Sequence, residues 1–509
     1  KARLNKIEEF SKDLGNKISF FTISLSKIPM EKQRVFLKFP GLKHYWHFLE
    51  RIFKMAKHIL SQKEEEMMNL MSSVAYSNWE KMTSEFLSKE EREVLDEDGK
   101  VIKATKEKII GLFQSKNKEV RDKAAKEFND ILKKHVDVAE AELNSILEYK
   151  KINDKLRNYE RADSSVHLHD DIRTVVVDEL TKTVTNRFDI SKRFYKLKAN
   201  LLKQDKLEYH ERNVPYGAIN KKYSYEDTVK IITRVFNELD KKFGNLFKMF
   251  LENGLIDVYP KKNKAGGAFC QHWTKSQPTY IMLNHTDKLN DVTTLAHELG
   301  HGINNELIKE KQRAIYFGTT KATSEVASTF MEDFVFQELT NEADDELRLS
   351  LMIAKLDDDI SSIIRQVACY NLEKELHEKY REKGFLSKDE VGSVFQKHMS
   401  SYMGNYVEMS PGSENWWIYW SHLRYYFYVY SYASGLLISK ALQRKVKEDH
   451  NFLEKVNDFL SSGTSKSPED IFKELGITLN EDFWNQGLDE VEDLLNETEI
   501  LAKKLGKID

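Results

Sequence analysis

Proline and glycine are scarce in this chain. Its 509 residues hold 7 prolines and 21 glycines, against roughly 5% and 7% in an average protein. No proline occurs from Gly41 to Val214, and none from Thr279 to Ser410. Long proline-free stretches rich in Lys, Glu and Leu suit helices and argue against a turn-rich β domain. Cysteine is rarer still. Cys270 and Cys369 are the only two, too few for a disulfide framework, so a reducing compartment and a cytoplasmic location are expected. No apolar run approaches the roughly 18–20 residues of a membrane span. No sign of charge dominates either: 79 basic and 82 acidic residues leave a net charge of −3. Neither nucleic acid nor a membrane is an expected partner. The opening KARLNKIEEFSKDLG lacks the apolar core of a secretory signal and has no initiator Met, so residues before Lys1 are expected to be missing or removed.

What is present reads as mostly α. Residues 1–125 carry aromatics and aliphatics at three- and four-residue spacing with charges between them, as in LKHYWHFLERIFKMAKHIL. That pattern predicts an N-terminal helical domain, followed by a second domain over 126–509. The texture changes at 254–287. GAFCQHW and TYIMLNH have strand-like composition and flank the turn-prone TKSQP, so a small hairpin or sheet is expected before residue 288. Beyond it the pattern is helical again, interrupted by MSPGSENWW at 409–417.

Directly after the strand-like runs comes TTLAHELGHGINNE, residues 293–306. A helix capped by Asn290 or Asp291 puts His297 and His301 on one face, four residues apart, where both imidazoles can meet one tetrahedral zinc ion. Glu298 sits one residue round the helix, within reach of a water held by the metal without being a ligand. This is the geometry of a zinc hydrolase, with Glu298 as general base and later as acid. A third ligand has to come from another element. His at position 307 would continue one known pattern, but Leu307 and Asn304 stand where that pattern needs His and Gly. Glu325, in KATSEVASTFMEDFVF, follows His301 by 24 residues, enough for a connection and an antiparallel helix. Glu332 lies two turns further along the same face, placed to hydrogen-bond a ligand imidazole. Solvation of the helix is an equally simple account of Glu332 and Asp333.

HELGH followed by SEVASTFME resembles the thimet-oligopeptidase-like zinc peptidases, most closely their oligoendopeptidase F branch. PTYIMLNHTDKLNDVTTLAHELGHGIN, GGAFC, YKLKANLL and HLRYYFYVYSYASG resemble segments of that branch in the same order, over about residues 45–505. The resemblance implies a large helical fold with a deep substrate channel, one zinc ion at its base, and endoproteolytic cleavage of short to medium peptides. The N-terminal domain would line the channel and residues 126–509 would be catalytic. The family usually reads HExGHxxH, and Asn304 replaces the last His, which in the family is not a metal ligand. The family also draws a His and one or two Tyr from the 413–435 segment to bind the substrate and the tetrahedral oxyanion. His422 and Tyr430 match best, with Tyr425 or Tyr428 as the second phenol. Most other aromatics there read as core. An edge strand before the motif would pair with an extended substrate, with Gly266, Gly267 and Ala268 leaving room beside Phe269.

Two competing functions share this pattern. A zinc carboxypeptidase of similar helical form carries a different continuation after HExxH, and no basic residue here is assigned to a substrate carboxylate. A catalytically silent peptide clamp has no need of the full set His297, Glu298, His301 and Glu325. Two other clusters read as structural: His167-Leu168-His169-Asp170 as a polar loop, and Cys270 beside His272 as an inert thiol with no activating partner.

Overall fold

The proline-free stretches are helical. In the computed structural model, which describes residues 2–217 and 221–509, one helix runs unbroken for 39 residues from Lys118 to Leu156. Asn117 starts it by accepting the Glu119 N–H at 3.0 Å, which satisfies a backbone donor left over at a helix N-terminus. Its buried stripe, with Val120, Ala124, Phe128, Ile131, Leu132 and Leu143, recurs at three- and four-residue spacing. The boundary expected at residue 125 falls inside this helix.

The chain divides into two units. One comprises Lys1–Thr174, Asn371–His398 and Met409–Tyr428; the other comprises Val175–Tyr370, Met399–Glu408 and Val429–Asp509. The first unit contains a hairpin that helical periodicity missed: Glu91–Leu95 pairs antiparallel with Val101–Thr105. Its turn is formed by Asp96-Glu97-Asp98-Gly99, where Asp96 Oδ1 accepts from the Asp98 and Lys100 N–H groups and Gly99 takes φ 76°. Asp-Gly between alternating apolar residues is a hairpin signal, so this element was readable. The segment expected as a polar loop at 167–170 is instead mostly a short helix, Ser164–His169. His167 is buried there, its ring bonded to Thr174 Oγ1 at 3.1 Å.

In the second unit the expected hairpin forms, with Phe269–Gln271 antiparallel to Tyr280–Met282, and Ile256–Asp257 adds a parallel strand on the other side. Tyr280–Met282 is therefore the central strand and Phe269–Gln271 an edge. The HELGH segment lies on a helix from Leu289 to Lys311 (the motif helix), which begins three residues before the Val292 start expected from capping. Asp291 does organise that end, but from within the first turn: its carboxylate accepts the N–H groups of Thr286 and Lys288 at 2.7 and 2.8 Å. A second helix, Val326–Asn341, packs on the motif helix, and Tyr430–Glu448 packs on that. The last long helix, Glu481–Lys504, approaches Tyr430–Glu448 closely at Gly487, where a Cβ would lie 2.7 Å from the Leu437 carbonyl oxygen.

Helix Val326–Asn341 is locked from behind by a buried ion cluster. Lys355 Nζ contacts Asp333 Oδ1 at 2.5 Å, Lys440 Nζ contacts Asp359 Oδ2 at 2.8 Å, and Gln443 donates to Asp333 Oδ2 at 2.9 Å. Asp333 is thus not a solvated surface residue. Burial opposes its charge, yet the two lysines hold its carboxyl well below the usual range. Removing one partner from such a cluster strands a buried charge. Lys355→Met is expected to cost about 3–5 kcal/mol, read from the urea unfolding midpoint.

Candidate active site

On the motif helix the i, i+4 spacing brings His297 and His301 to one face, with ring centroids 5.0 Å apart and nearly perpendicular. Glu325 is the residue immediately before helix Val326–Asn341. Its Oε2 lies 3.4 Å from His297 Nε2 and 3.5 Å from His301 Nε2. The three side chains form a metal-sized group whose ligand atoms all lie within 4.8 Å of one another. Ligand bonds of about 2.0–2.1 Å in a tetrahedron give edges of about 3.3–3.4 Å. The measured N···O separations match that edge, so the residues fit a zinc ion.

The surroundings supply what such a ligand set needs. His297 Nδ1 pairs with Glu332 Oε2 at 2.9 Å. A carboxylate only accepts, so Nδ1 carries a proton, and it is Nε2, on the Glu325 side, that would turn its lone pair to a metal ion. Glu332 is therefore held on the His297 imidazole, not solvated. Ser328 Oγ donates to Glu325 Oε2 at 3.2 Å, steadying that carboxylate. Burial disfavours charge on His297, but Glu325 and Glu332 outweigh it and lift the imidazole to about 10. Burial likewise works against the Glu325 charge and is overcome by hydrogen bonds from both imidazoles. A pocket that draws a proton this strongly is one in which a divalent cation is welcome in the proton's place.

Glu298 is buried beside the group, and burial raises its pKa despite the two nearby imidazoles. The backbone of Cys270, on the edge strand, works weakly in the opposite direction and lowers it. The Cys270 thiol is pushed by burial up to about 12, which fits an inert thiol. Asn304 is buried and donates to the Leu460 carbonyl oxygen at 2.5 Å, so it closes a helix end instead of joining the metal group.

The glycines explain how the ligands meet. A Cβ at Gly300, between the two histidines, would lie 2.4 Å from Ser328 Cα and 2.6 Å from the Ala327 carbonyl oxygen. Only hydrogen at this position lets the two helix backbones approach closely enough for Glu325 and Glu332 to reach the histidines. At Gly435, on the far side, a Cβ would lie 2.9 Å from Glu325 Cβ. Both glycines stood in the quoted segments, but their role depends on a helix crossing that spacing does not reveal.

Of the expected substrate-binding residues, Gly266 and Gly267 face open space where a side chain would go, and Phe269 is half-exposed on the edge strand next to Ala268. Tyr430 opens helix Tyr430–Glu448, fully buried, its ring edge-on to Tyr370 at 6.1 Å. His422 and Tyr425 belong to the first unit. There His422 Nδ1 is hydrogen-bonded to the Tyr428 hydroxyl, and the Tyr425 hydroxyl donates to Glu80.

The sequence profile of peptidase family M3 matches residues 112–486, and that of Oligopeptidase F matches residues 25–91. Oligopeptidase PepF of Bacillus subtilis is 26% identical over 481 residues, covering 91% of this chain and 71% of that protein. The plasmid-encoded oligoendopeptidase F of Lactococcus lactis subsp. cremoris is 26% identical over 502 residues, covering 96% and 82%. Among solved structures, oligoendopeptidase-F from Enterococcus faecium superposes with a TM-score of 0.75 at 19% identity, over 97% of this chain and 85% of that one. A Chlamydophila abortus structure superposes with a TM-score of 0.89 at 22% identity, over 98% and 84%. These likenesses agree with the large, mostly helical fold expected from the sequence.

Gly300→Ala is expected to wedge the two helices apart. Stability should fall by about 1–3 kcal/mol or more, and zinc affinity should fall with it, read by denaturant unfolding and by metal titration.

Proposed function

This chain belongs to peptidase family M3 and is a metalloendopeptidase of the oligoendopeptidase F type, and from that premise we propose that it uses one zinc ion, held by His297, His301 and Glu325, to hydrolyse internal bonds of short to medium peptides. The observation that carries the metal assignment is the pair of 3.4 and 3.5 Å separations between the histidine nitrogens and Glu325 Oε2. When bound, zinc supplies Lewis acidity, polarising the scissile carbonyl and acidifying water.

The rest is done by the chain's own groups. Glu332 keeps His297 in the tautomer whose Nε2 can ligate. Glu298, raised in pKa by burial, takes a proton from the attacking water and returns it to the leaving amine nitrogen. The edge strand Phe269–Gln271, with Gly266, Gly267 and Ala268 before it, pairs with the substrate main chain, which makes binding tolerant of side-chain identity. On the resemblance, His422 and Tyr430 hydrogen-bond the developing oxyanion. For the second phenol, the bond to His422 favours Tyr428 over Tyr425.

Glu298→Gln is expected to bind zinc at full stoichiometry and to lose about 10²–10⁴-fold in kcat. Unchanged turnover in that variant sinks the mechanism. Glu325→Ala should lose zinc by metal analysis, and chelation should abolish cleavage in the parent enzyme. A quenched peptide blocked at both ends separates endopeptidase from carboxypeptidase action, since only an endopeptidase cuts it.

A further inference from the structure

The segment that carries His422 and Tyr428 has a strained backbone. Tyr426 and Phe427 are consecutive non-glycine residues with φ of 51° and 53°. Such left-handed residues are strained and persist only where their surroundings over-determine them. The two residues break any helical path between His422 and Tyr428 and turn the chain back, so that the His422 ring and the Tyr428 hydroxyl meet across the turn.

Several groups of the first unit hold this turn. The Tyr426 hydroxyl donates to the Ile146 carbonyl at 3.1 Å, and its ring stacks on Tyr76. Arg424, buried, donates from Nε to Glu142 Oε1 at 2.9 Å and from Nη1 to the Trp420 carbonyl at 2.6 Å. These contacts fix side chains and the start of the loop. At Phe427 itself the hold is on the backbone: its N–H donates to Glu373 Oε2 at 2.9 Å. Glu373 is buried on the helix Arg365–Lys383, whose His377 ring also packs on the Phe427 ring at 4.8 Å between centroids.

We propose that Glu373 is a positioning residue for the reaction: its carboxyl oxygen clamps the left-handed turn at Phe427 and so holds the His422–Tyr428 pair in its working geometry. This rests on the reading that His422 takes part in catalysis. A buried acid is an uncommon expense in a core unless it has a specific partner, and here the hydrogen-bonded partner is the strained peptide. Burial pushes the Glu373 carboxyl up to about 8, so near neutral pH glutamine is a close stand-in for it. Glu373→Gln keeps a carbonyl oxygen for the Phe427 N–H. Glu373→Leu removes it, and Glu373→Asp withdraws it by one methylene while keeping an acid.

The test is steady-state kinetics on an internally cleaved peptide, with zinc content and unfolding midpoint measured for each variant. Displacing a positioned group by about 1 Å costs up to about 10²-fold. Glu373→Leu and Glu373→Asp are expected to lower kcat by about 10- to 100-fold with zinc content intact and KM little changed. Glu373→Gln should stay within about 3-fold of the parent, and Glu373→Leu should add nothing in a His422→Ala background, since both losses pass through the same pair. Parental kcat in Glu373→Leu, a Gln variant as impaired as Leu, or full additivity with His422→Ala overturns the proposal. Should Glu373→Leu not fold, parental kcat in the Asp variant does the same. Parental kcat in His422→Ala itself is a separate result: it removes the oxyanion reading on which the proposal stands.

Discussion

Two helix backbones touch at Gly300, and the metal group depends on that contact. The histidines come from one helix and the two carboxylates from the other, so their separation is set by how closely the helices cross. Any side chain at Gly300 would strike main chain of Ala327 and Ser328, and main chain cannot rotate out of the way as a side-chain tip can. Gly435 repeats the device against Glu325 Cβ and backbone, so the start of helix Val326–Asn341 is held by two close glycine contacts. Precision here comes from the absence of atoms as much as from hydrogen bonds.

Helix Val326–Asn341 carries charge on both sides, and the two sides are handled differently. Glu332 faces the imidazole it orients, while Asp333, the next residue, is neutralised by Lys355 and Lys440 in the core. Buried ions are poor sources of stability compared with well-packed apolar groups, but they tolerate few alternative arrangements. That intolerance suits a helix whose rotation would move Glu325 and Glu332 off their partners. The first unit shows the same logic in Arg424 with Glu142, and in Glu373 with the Phe427 N–H, where buried polar groups pin a loop that propensity would not form.

Where the sequence was legible, a short-range rule applied. His297 and His301 could be paired because helical spacing alone decides which residues share a face. Glu325 could be found because few carboxylates lie within reach of one connection and one helix. The strands Phe269–Gln271 and Tyr280–Met282 were betrayed by composition around a turn. Where reading failed, a signal was overlooked or the decisive contact was remote. The Asp-Gly turn at 98–99 marked a hairpin that helical periodicity masked. His167 looked solvated, because polar neighbours in sequence say little about burial. The 39-residue helix from Lys118 crosses residue 125, where no break in pattern could have warned against a boundary or for one.

Composition, spacing and one resemblance were enough to determine the helical class and to pick out His297, His301, Glu325 and Glu298, which the fold brings together. These are local properties, written in residue type and separation along the chain. Tertiary structure alone decided that Glu332 bonds His297 and is not simply solvated, that Asn304 closes a helix end, and that Tyr428 is the phenol bonded to His422. Each of these is a contact between atoms whose distance depends on how whole elements pack or how a strained loop turns. No period in the sequence encodes that distance, because it is settled by excluded volume at a few crossings such as Gly300.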